Sequence, residues 1–337
     1  MPPQNRPPMP GDPPTNPPFV YDDAYVTPLP PGHRFPMPKF GHLHDHLRAT
    51  GLLTDDNLHR PEPAGPGLLH QAHEPAYVEA FLAGTLDRDA LRTLGLPWSR
   101  GLATRTVTAL GGTVLAARLA LEHGLAANLA GGTHHAHRSH GAGFCIFNDL
   151  AVTALCLLAE DLVDQVLILD LDVHQGDGTA RILAGEPRAF TCSVHCGSNY
   201  PARKADGDLD VPLPVGTGDE AYLGVLERGD SASGFRGLGW LLEQVEPDLV
   251  LYDAGVDVHA EDKLGRLSMT DEGIRRRDRL VLDACRGHGI PVAAVIGGGY
   301  GDDRVALARR HGIVHEEVAR AWRAEAGGKR GREKERE

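Results

Sequence analysis

The sequence predicts a single α/β domain built on an open, mostly parallel β-sheet with helices on both faces. Three observations predict it. Short apolar runs alternate along the chain with helical patterns, which is the order of βαβ units. The apolar runs are nearly continuous, as in strands that are buried on both faces. Polar residues suited to chemistry follow several of these runs directly, at the strand ends where such sheets bind ligands.

The predicted elements follow from these patterns. The expected strands are 126–131, 166–173, 189–195, 248–255 and 292–297. The expected helices are 101–123, 149–160, 218–229, 271–287 and 303–322. The domain is expected over 19–323. A proline-rich leader (1–18) precedes it and a charged tail (324–337) follows it, and neither has the apolar residues that a core or an apolar face requires.

Composition and charge narrow the class of protein. The chain has 337 residues and a net charge of -12, which argues against a nucleic-acid-binding surface. An acidic surface would suit a basic partner, such as a lysine-bearing peptide or a polyamine. No apolar run approaches the roughly 20 residues that cross a bilayer, and no signal-peptide pattern is present. The 5 cysteines have neither zinc-finger nor redox spacing, which favours a reducing compartment. We therefore expect a cytoplasmic enzyme without a membrane partner.

The first candidate site follows the run VLILD. Asp170, Asp172 and His174 alternate along an extended chain, so their side chains share one face. Carboxylate and imidazole groups together can hold zinc. Acids at the end of a buried strand need partners, which favours a bound cation. The alternative is a hydrogen-bonded start of a loop.

A second acidic segment, DAGVDVHAEDKLGRL, follows the run DLVLY. Asp257 could supply a third metal ligand from a neighbouring strand. Three nearby residues compete with it: Asp253, His259 and Asp262. The residues alone leave this choice open, and the segment could instead cap the helix that begins near 271.

Adjacent histidines, His134 and His135, follow the run AANLAG in the segment GGTHHAHRSHGAGFCIFND. Such a pair on a loop can serve as general base and electrostatic stabiliser. The alternative is that they are surface histidines, which are common in a chain with 18 of them. Phe144 and Phe147 could wall a channel or pack in the core.

Tyr300 ends the fourth segment, in which three glycines follow the run VAAVI. A tyrosine on a glycine-rich turn could direct its hydroxyl at a developing oxyanion. A phosphate-binding loop is the rival interpretation, but the required GKS/T does not follow.

Together these segments closely resemble the signature motifs of the zinc-dependent histone deacetylases. The matching stretches occur in the expected order through most of residues 19–320: HHAHRSHGAGFCIFND, LILDLDVHQGDGT, DAGVDVHAEDKLGRL and IGGGY. Three others are most similar to the class IV branch and its bacterial relatives: HRFPMPKF, GLPWSRGLATRTVTALGGT and VPLPVGTGDEAYL. The resemblance implies the arginase/deacetylase fold and hydrolysis of an amide such as an N-acyl-lysine.

The resemblance also assigns roles to individual residues. The implied ligands of zinc, or of Fe²⁺ in its place, are Asp172, His174 and Asp257. The implied catalytic residues are His134 with its partner Asp170, His135 with its partner Asp177, and the transition-state residue Tyr300. The implied substrate tunnel is formed by Gly143, Phe144 and Tyr200. An implied structural potassium ion is held by Asp170, Asp172, His174, Ser193 and Val194.

Several alternatives accompany this assignment. The substrate could be an acylated lysine in a peptide or protein, an acetylated small amine such as an acetylpolyamine, or a long-chain fatty-acyl-lysine. A ureohydrolase with two manganese ions shares the fold, and a catalytically silent acyl-lysine binder could keep it. The acid with which some classes grip the substrate backbone at the tunnel rim is not located in this sequence, and position 175 is glutamine where many members have a second histidine.

Overall fold

The computed structural model describes the backbone of residues 16–334 and the side chains of residues 16–324. Its strands are β1 (Phe19–Val20), β2 (Leu58–His59), β3 (Leu125–Asn128), β4 (Val166–Asp170), β5 (Ala189–Cys196), β6 (Leu209–Leu213), β7 (Leu249–Asp253) and β8 (Val292–Val295). Its α-helices are α1 (Lys39–Ala49), α2 (Pro66–Leu69), α3 (Pro75–Ala83), α4 (Arg88–Leu94), α5 (Arg100–His123), α6 (Asp149–Ala159), α7 (Asp177–Leu183), α8 (Asp219–Arg228), α9 (Leu238–Val245), α10 (Asp271–Gly287) and α11 (Arg304–Lys334).

The strands form one eight-stranded sheet in the order β2-β1-β3-β8-β7-β4-β5-β6. Every pairing in it is parallel. Strand β4 lies between β7 and β5, and its last residue, Asp170, stands opposite Asp253 of β7 and Ser193 of β5. The carboxyl ends of these central strands therefore lie side by side, at the end of the sheet where parallel sheets bind their ligands. The predicted open parallel sheet is confirmed.

All five predicted strands occur, but four of them are shorter than predicted. They end at Asn128, Asp170, Asp253 and Val295 rather than at 131, 173, 255 and 297. Glycines with positive φ follow two of them, Gly131 at 96° and Gly297 at 57°, and such backbone leaves the sheet. The residues just beyond the strands are thereby free to turn their side chains toward the sheet edge.

Three strands of the structure were not predicted from the sequence. β1 and β2 have only two residues each, too few to show a period. β6 lies at the edge of the sheet and contains Pro212, which lacks the N–H that a second neighbouring strand would require. Its buried residues alternate at Leu209, Val211 and Leu213, and that alternation is a signal in the sequence.

The helices α5, α6, α8 and α10 occur within a residue of their predicted bounds. Helix α11 instead continues to Lys334, through most of the segment predicted to be an unstructured tail. Alanine, glutamate, lysine and arginine favour helix even without an apolar face. None of the helices in the described part of the chain has the length and apolar character that crossing a bilayer requires.

At the amino end, residues ahead of the predicted boundary at residue 19 already pack against the domain. Asn16 and Pro17 are buried. The side-chain amide of Asn57 donates to the carbonyl oxygen of Pro17 at 2.8 Å, so this stretch is tied to the body of the domain. Residues 1–15 of the predicted leader lie outside the described residues.

Candidate active site and metal centre

Two acids and a histidine converge at the carboxyl ends of β4 and β7. Asp172 and His174 follow β4, and Asp257 follows the adjacent β7. Nδ1 of His174 lies 3.0 Å from Oδ1 of Asp172 and 3.1 Å from Oδ2 of Asp257. One ligand atom from each residue lies within 4.8 Å of the others, and all three side chains are buried. Two carboxylates and one imidazole match the ligand preferences of Zn²⁺ and of Fe²⁺.

Backbone groups hold the two carboxylates in place. Asp172 accepts hydrogen bonds from the N–H groups of His174 (2.9 Å) and Gly298 (2.7 Å), and Asp257 accepts one from Val173 (2.9 Å). A Cβ atom at Gly298 would lie 2.1 Å from Asp257 Oδ2 and 2.5 Å from Asp172 Oδ2. The glycine therefore lets the backbone approach both carboxylates closely.

The cluster is electrostatically suited to a cation. Burial, together with repulsion from Asp172, raises the pKa of Asp257 to about 7. Burial alone would lower the pKa of His174, but the carboxylates of Asp172 and Asp257 outweigh it and raise that pKa to about 10. The ligands therefore retain protons that a divalent cation would displace.

Metal binding is expected to weaken as the pH falls. Because His174 and Asp257 have raised pKa values, binding must release protons, and affinity should fall by up to about tenfold per pH unit for each proton displaced. Titration calorimetry with Zn²⁺ at pH 6, 7 and 8, in buffers of different ionisation enthalpy, counts the protons released. Binding without proton release, at an affinity independent of pH, would contradict this electrostatic account.

A buried ion pair on α10 contacts the backbone of the two segments that lead to the metal-cluster residues. Arg277 is completely buried and donates to the carbonyl oxygens of Leu171 (3.2 Å) and Gly255 (2.7 Å). These carbonyls lie in the turns that lead to Asp172 and Asp257. The guanidinium also pairs with the neighbouring Asp278 at 2.8 Å. One side chain thus links the ends of β4 and β7.

The replacement Arg277→Leu is expected to lower the free energy of unfolding by roughly 3–5 kcal/mol, because it leaves the charge of Asp278 buried and unpaired. Denaturant unfolding measures this loss. The double variant Arg277→Leu/Asp278→Asn removes the unpaired charge and should recover part of the stability, yet bind Zn²⁺ more weakly than the parent. Normal affinity in the double variant would show that Arg277 does not position the ligands.

The tandem histidines lie beside the metal cluster, each paired with an acid. Nδ1 of His134 lies 2.8 Å from Asp170 Oδ2, and Nδ1 of His135 lies 2.7 Å from Asp177 Oδ1. Their ring centroids are 4.2 Å apart. An Nδ1–H that donates to a carboxylate leaves Nε2 of a neutral imidazole free to accept a proton. The two predicted histidine–acid pairs are thus present in the structure.

The two histidines have opposite electrostatic characters. Burial alone would lower the pKa of His134, but Asp170 and Asp172 outweigh it and hold that pKa well above its ordinary value. Burial and the positive charge of His134 lower the pKa of His135 to about 3. At neutral pH His134 is therefore charged, while His135 is neutral and can accept a proton.

The residues that the sequence offered as alternatives to Asp257 lie outside the cluster of Asp172, His174 and Asp257. Asp253 is fully buried, with Oδ2 3.9 Å from Nδ1 of His134. Neither of its oxygens has a hydrogen-bond partner among the described residues, and burial followed by the nearby charge of Asp170 raises its pKa well above the ordinary value. His259 lies 3.3 Å from Asp271. The geometry therefore selects Asp257 for the metal cluster.

The third competitor, Asp262, holds the turn that carries Tyr300. Its Oδ2 accepts a hydrogen bond of 2.7 Å from the N–H of Tyr300, and its Oδ1 accepts one of 2.8 Å from the N–H of Leu264. Burial, followed by the charge of Asp257, raises the pKa of Tyr300 well above its ordinary value, so the phenol keeps its proton. The hydroxyl is therefore available as a hydrogen-bond donor.

A cavity of about 400 Å³ opens from this cluster to the surface. Its inner lining includes His135, His174, Tyr300, Gly143, Phe144 and Tyr200. The Phe144 and Tyr300 rings have centroids 5.9 Å apart, and the Tyr200 ring lies 4.7 Å from that of His135. Gly143 has a φ of 55°, and a Cβ there would lie 2.7 Å from the His135 ring. The structure thus brings the predicted tunnel residues to the predicted catalytic ones.

Of the residues predicted to hold potassium, Ser193 and Val194 lie in β5 beside Asp170, and the others belong to the catalytic and metal-binding groups described above. Asp170 stands opposite Ser193 in the sheet, and its Oδ1 accepts a hydrogen bond from the N–H of Asp172 at 3.0 Å. Val194 follows Ser193 in β5, and the Ser193 hydroxyl lies 3.0 Å from His195 Nδ1. A potassium ion at this position stays a prediction.

Comparison with known proteins decides the family. The model of the histone deacetylase domain matches residues 33–314. The chain belongs to the histone deacetylase family. Histone deacetylase 2 of Arabidopsis thaliana is 34% identical to it over 278 residues, which cover 80% of this chain and 70% of that protein. The acetoin utilization protein AcuC of Bacillus subtilis is 29% identical, covering 90% and 79%.

Two further similarities bear on the fold and on bacterial relatives. An uncharacterised protein of Picosynechococcus is 51% identical over 298 residues, which cover 88% of this chain and 97% of that protein. The crystal structure of a histone deacetylase homologue complexed with SAHA superimposes with a TM-score of 0.75 at 25% identity, covering 90% of this chain and 84% of that one. The chain therefore has the arginase/deacetylase fold, and its relatives support a deacetylase activity in general.

Proposed function

We propose that this histone deacetylase family member is a zinc-dependent hydrolase that removes a short acyl group from N-acyl-lysine. The observation that carries the proposal is the convergence of the acid–histidine cluster, a neutral His135 and the Tyr300 hydroxyl at the inner end of one open cavity. A zinc ion held by Asp172, His174 and Asp257 would polarise the acyl carbonyl as a Lewis acid and acidify a water molecule. Fe²⁺ fits the same donor set.

His135 is the proposed general base. Its neutral ring donates through Nδ1 to Asp177 and presents Nε2 to the proton of an attacking water. Asp177 stabilises the imidazolium that then forms, and this imidazolium can protonate the leaving amine. His134, which stays charged, adds electrostatic stabilisation of the negative charge that develops on the substrate.

Tyr300 is the proposed donor to the oxyanion. Its hydroxyl keeps its proton, and its backbone is held by Asp262, so the donor is positioned before the reaction begins. Phe144 and Tyr200 would wall the acyl-lysine side chain, and the Gly143 carbonyl would accept the hydrogen bond of the substrate amide. The products are a free amine and a carboxylate.

The size of the inner space favours a short acyl group. Behind the cluster lies a cavity of about 30 Å³, room for about one or two water molecules. It accommodates an acetyl group more readily than a fatty-acyl chain. Lys39 and Arg105 line this space, both buried. Lys39 Nζ donates to the Gly297 carbonyl at 3.2 Å, and burial lowers its pKa to about 8. Two cations at this position would attract the carboxylate product.

The two-manganese alternative would place a second ion among His134, Asp170 and Asp253, which form a second buried cluster. In the proposed deacylase, Nδ1 of His134 instead donates a hydrogen bond to Asp170 at 2.8 Å. Metal analysis of the reconstituted protein separates the cases. One equivalent of metal supports the deacylase, whereas two equivalents of manganese would favour the ureohydrolase.

The direct test is release of amine from one lysine peptide that carries acetyl, butyryl, octanoyl or myristoyl groups, with zinc-reconstituted enzyme. We expect the highest kcat/KM for the acetyl peptide and loss of turnover after chelation. Recovery on adding zinc back controls for denaturation by the chelator. Absence of turnover at every chain length, with zinc bound, would overturn the acyl-lysine assignment.

A further inference from the structure

The mouth of the active-site cavity is cationic, although the chain as a whole carries a net charge of -12. Arg34, Arg92 and Arg266 line the opening. None of the described residues that line this cavity is acidic. The charge at the entrance therefore has the opposite sign to the charge of the whole molecule, and the local charge is the one that an entering substrate meets.

The three arginines reach the opening from separate parts of the chain. Arg34 precedes α1, and its guanidinium carbon lies 6.0 Å from the ring centroid of Phe144 in the tunnel wall. Arg92 lies in the last turn of α4 and pairs with Asp89 at 3.0 Å. Arg266 donates to the Ser198 carbonyl oxygen at 3.4 Å. All three are exposed.

Two of these arginines keep their charge uncompensated. Neither Arg34 nor Arg266 forms an ion pair with the residues that the structure describes. Arg34 contacts an aromatic face, which attracts a cation without neutralising it. The partner of Arg266 is a neutral carbonyl oxygen. Both guanidinium groups thus retain donors suited to a carboxylate.

We infer that this mouth selects acylated amines that carry a carboxylate on the part of the substrate in the outer cavity, and disfavours basic flanks and polyamines. The inference rests on the proposed deacylase function. With the acyl group at His135 and Tyr300, the remainder of the substrate lies in the outer cavity, beside the arginines. A carboxylate there is attracted by the two unpaired guanidinium groups, whereas a lysine flank or a second amine is repelled.

The carboxylate can come from two sources that share this chemistry. One source is an acidic residue that flanks an acyl-lysine in a peptide, and the other is the α-carboxylate of free Nε-acetyl-lysine. The test therefore uses three acetyl-lysine peptides that differ only in glutamate, glutamine or lysine flanks. Free Nε-acetyl-lysine and N-acetylputrescine form the small-molecule arm. Values of kcat and KM are measured with the zinc-loaded full chain at low and high NaCl concentration.

We expect kcat/KM to fall in the order glutamate, glutamine, lysine, with a difference of roughly tenfold or more between the extremes. The difference should lie in KM, because the arginines do not touch the reacting groups. Added salt should reduce the difference in kcat/KM among the three peptides. Free Nε-acetyl-lysine should likewise exceed N-acetylputrescine. The arm with the larger kcat/KM identifies the source of the carboxylate.

Variants of the arginines test whether the mouth of the cavity causes the preference for acidic flanks. Arg34→Gln/Arg266→Gln should remove most of the difference in kcat/KM between the glutamate-flanked and lysine-flanked peptides. Arg266→Glu should raise kcat/KM for the lysine-flanked peptide. Arg286→Gln is the matched control. Arg286 lies in the last turn of α10, just before β8, and therefore at the opposite edge of the sheet.

The outcomes separate this inference from the proposed function. Equal kcat/KM for the three peptides, or a preference for lysine flanks, overturns the cationic-mouth inference and leaves the deacylase intact. A preference that persists in the double arginine variant also overturns it. Absence of turnover for every substrate removes the proposed function first, and the inference with it.

Discussion

Replacing His135 with alanine is expected to lower kcat by roughly 10²–10⁴-fold, the range that a positioned general base contributes. The neutral imidazole of His135 lines the cavity beside the metal cluster, and with Nδ1 donating to Asp177 its Nε2 can accept a proton from water. Its Nδ1 is held by Asp177 at 2.7 Å. The variant should keep its metal, because His135 is not one of the three clustered ligands. Single-turnover kinetics on the acetyl peptide, with metal content measured in parallel, tests this.

His137→Ala is the matched control for this variant. Nε2 of His137 lies 3.2 Å from the other carboxylate oxygen of Asp177, so the control removes an imidazole from the same acid but from outside the cavity lining. A much smaller loss of kcat is expected. Near-normal turnover by metal-loaded His135→Ala would remove its role as base, and equal losses in both variants would indicate that Asp177, and not the base, was disturbed.

The pattern of the sequence predicts the central sheet because these strands are buried on both faces. The runs that became β4 and β7 are almost purely apolar, and in the structure both strands are buried along their whole length. The two-residue strands β1 and β2 could not be predicted. Their backbone pairs with neighbours distant in sequence, and pairing of that kind leaves no period in so short a segment.

The candidate site was predictable only in part. The sequence predicted a strand over 166–173, in which alternation would place Asp172 and His174 on one face, but β4 ends at Asp170 and both residues lie in the segment that follows it. The choice of Asp257 over Asp253 depends on where β7 ends, which only the folded chain shows: Asp253 is its last residue and Asp257 lies beyond it. The resemblance to the histone deacetylases supplied that choice in advance. Arg277 could not be found this way, because it acts through backbone carbonyls of residues remote in sequence.

Net charge was the least informative property of the sequence. A value of -12 suggests a basic partner, whereas the opening of the cavity presents Arg34 and Arg266 without ion-pair partners among the described residues. Charges on a surface act over about 8–10 Å at ordinary ionic strength. A substrate at the opening therefore responds to these guanidinium groups more than to acids elsewhere on the molecule.

Tyr300→Phe is expected to retain zinc and to lose most of its turnover. Removing a single oxyanion donor costs about 2.7–4 kcal/mol in the barrier, or roughly 10²–10³-fold in kcat. The aromatic ring remains, so its packing against Phe144 (5.9 Å between centroids) is preserved. The backbone bond from Tyr300 to Asp262 is also unaffected by the change. The comparison of kcat and KM on the acetyl peptide should therefore show a loss in kcat with little change in KM.

The positioning of the Tyr300 hydroxyl can be disturbed without removing the hydroxyl. Asp262→Ala removes the acceptor that fixes the Tyr300 backbone and should lower kcat by less than Tyr300→Phe does. The combined variant should lose little more than Tyr300→Phe alone, because both changes act on one hydroxyl. Additive losses would assign Asp262 a separate role, and full turnover by zinc-loaded Tyr300→Phe would remove the oxyanion donor from the proposal.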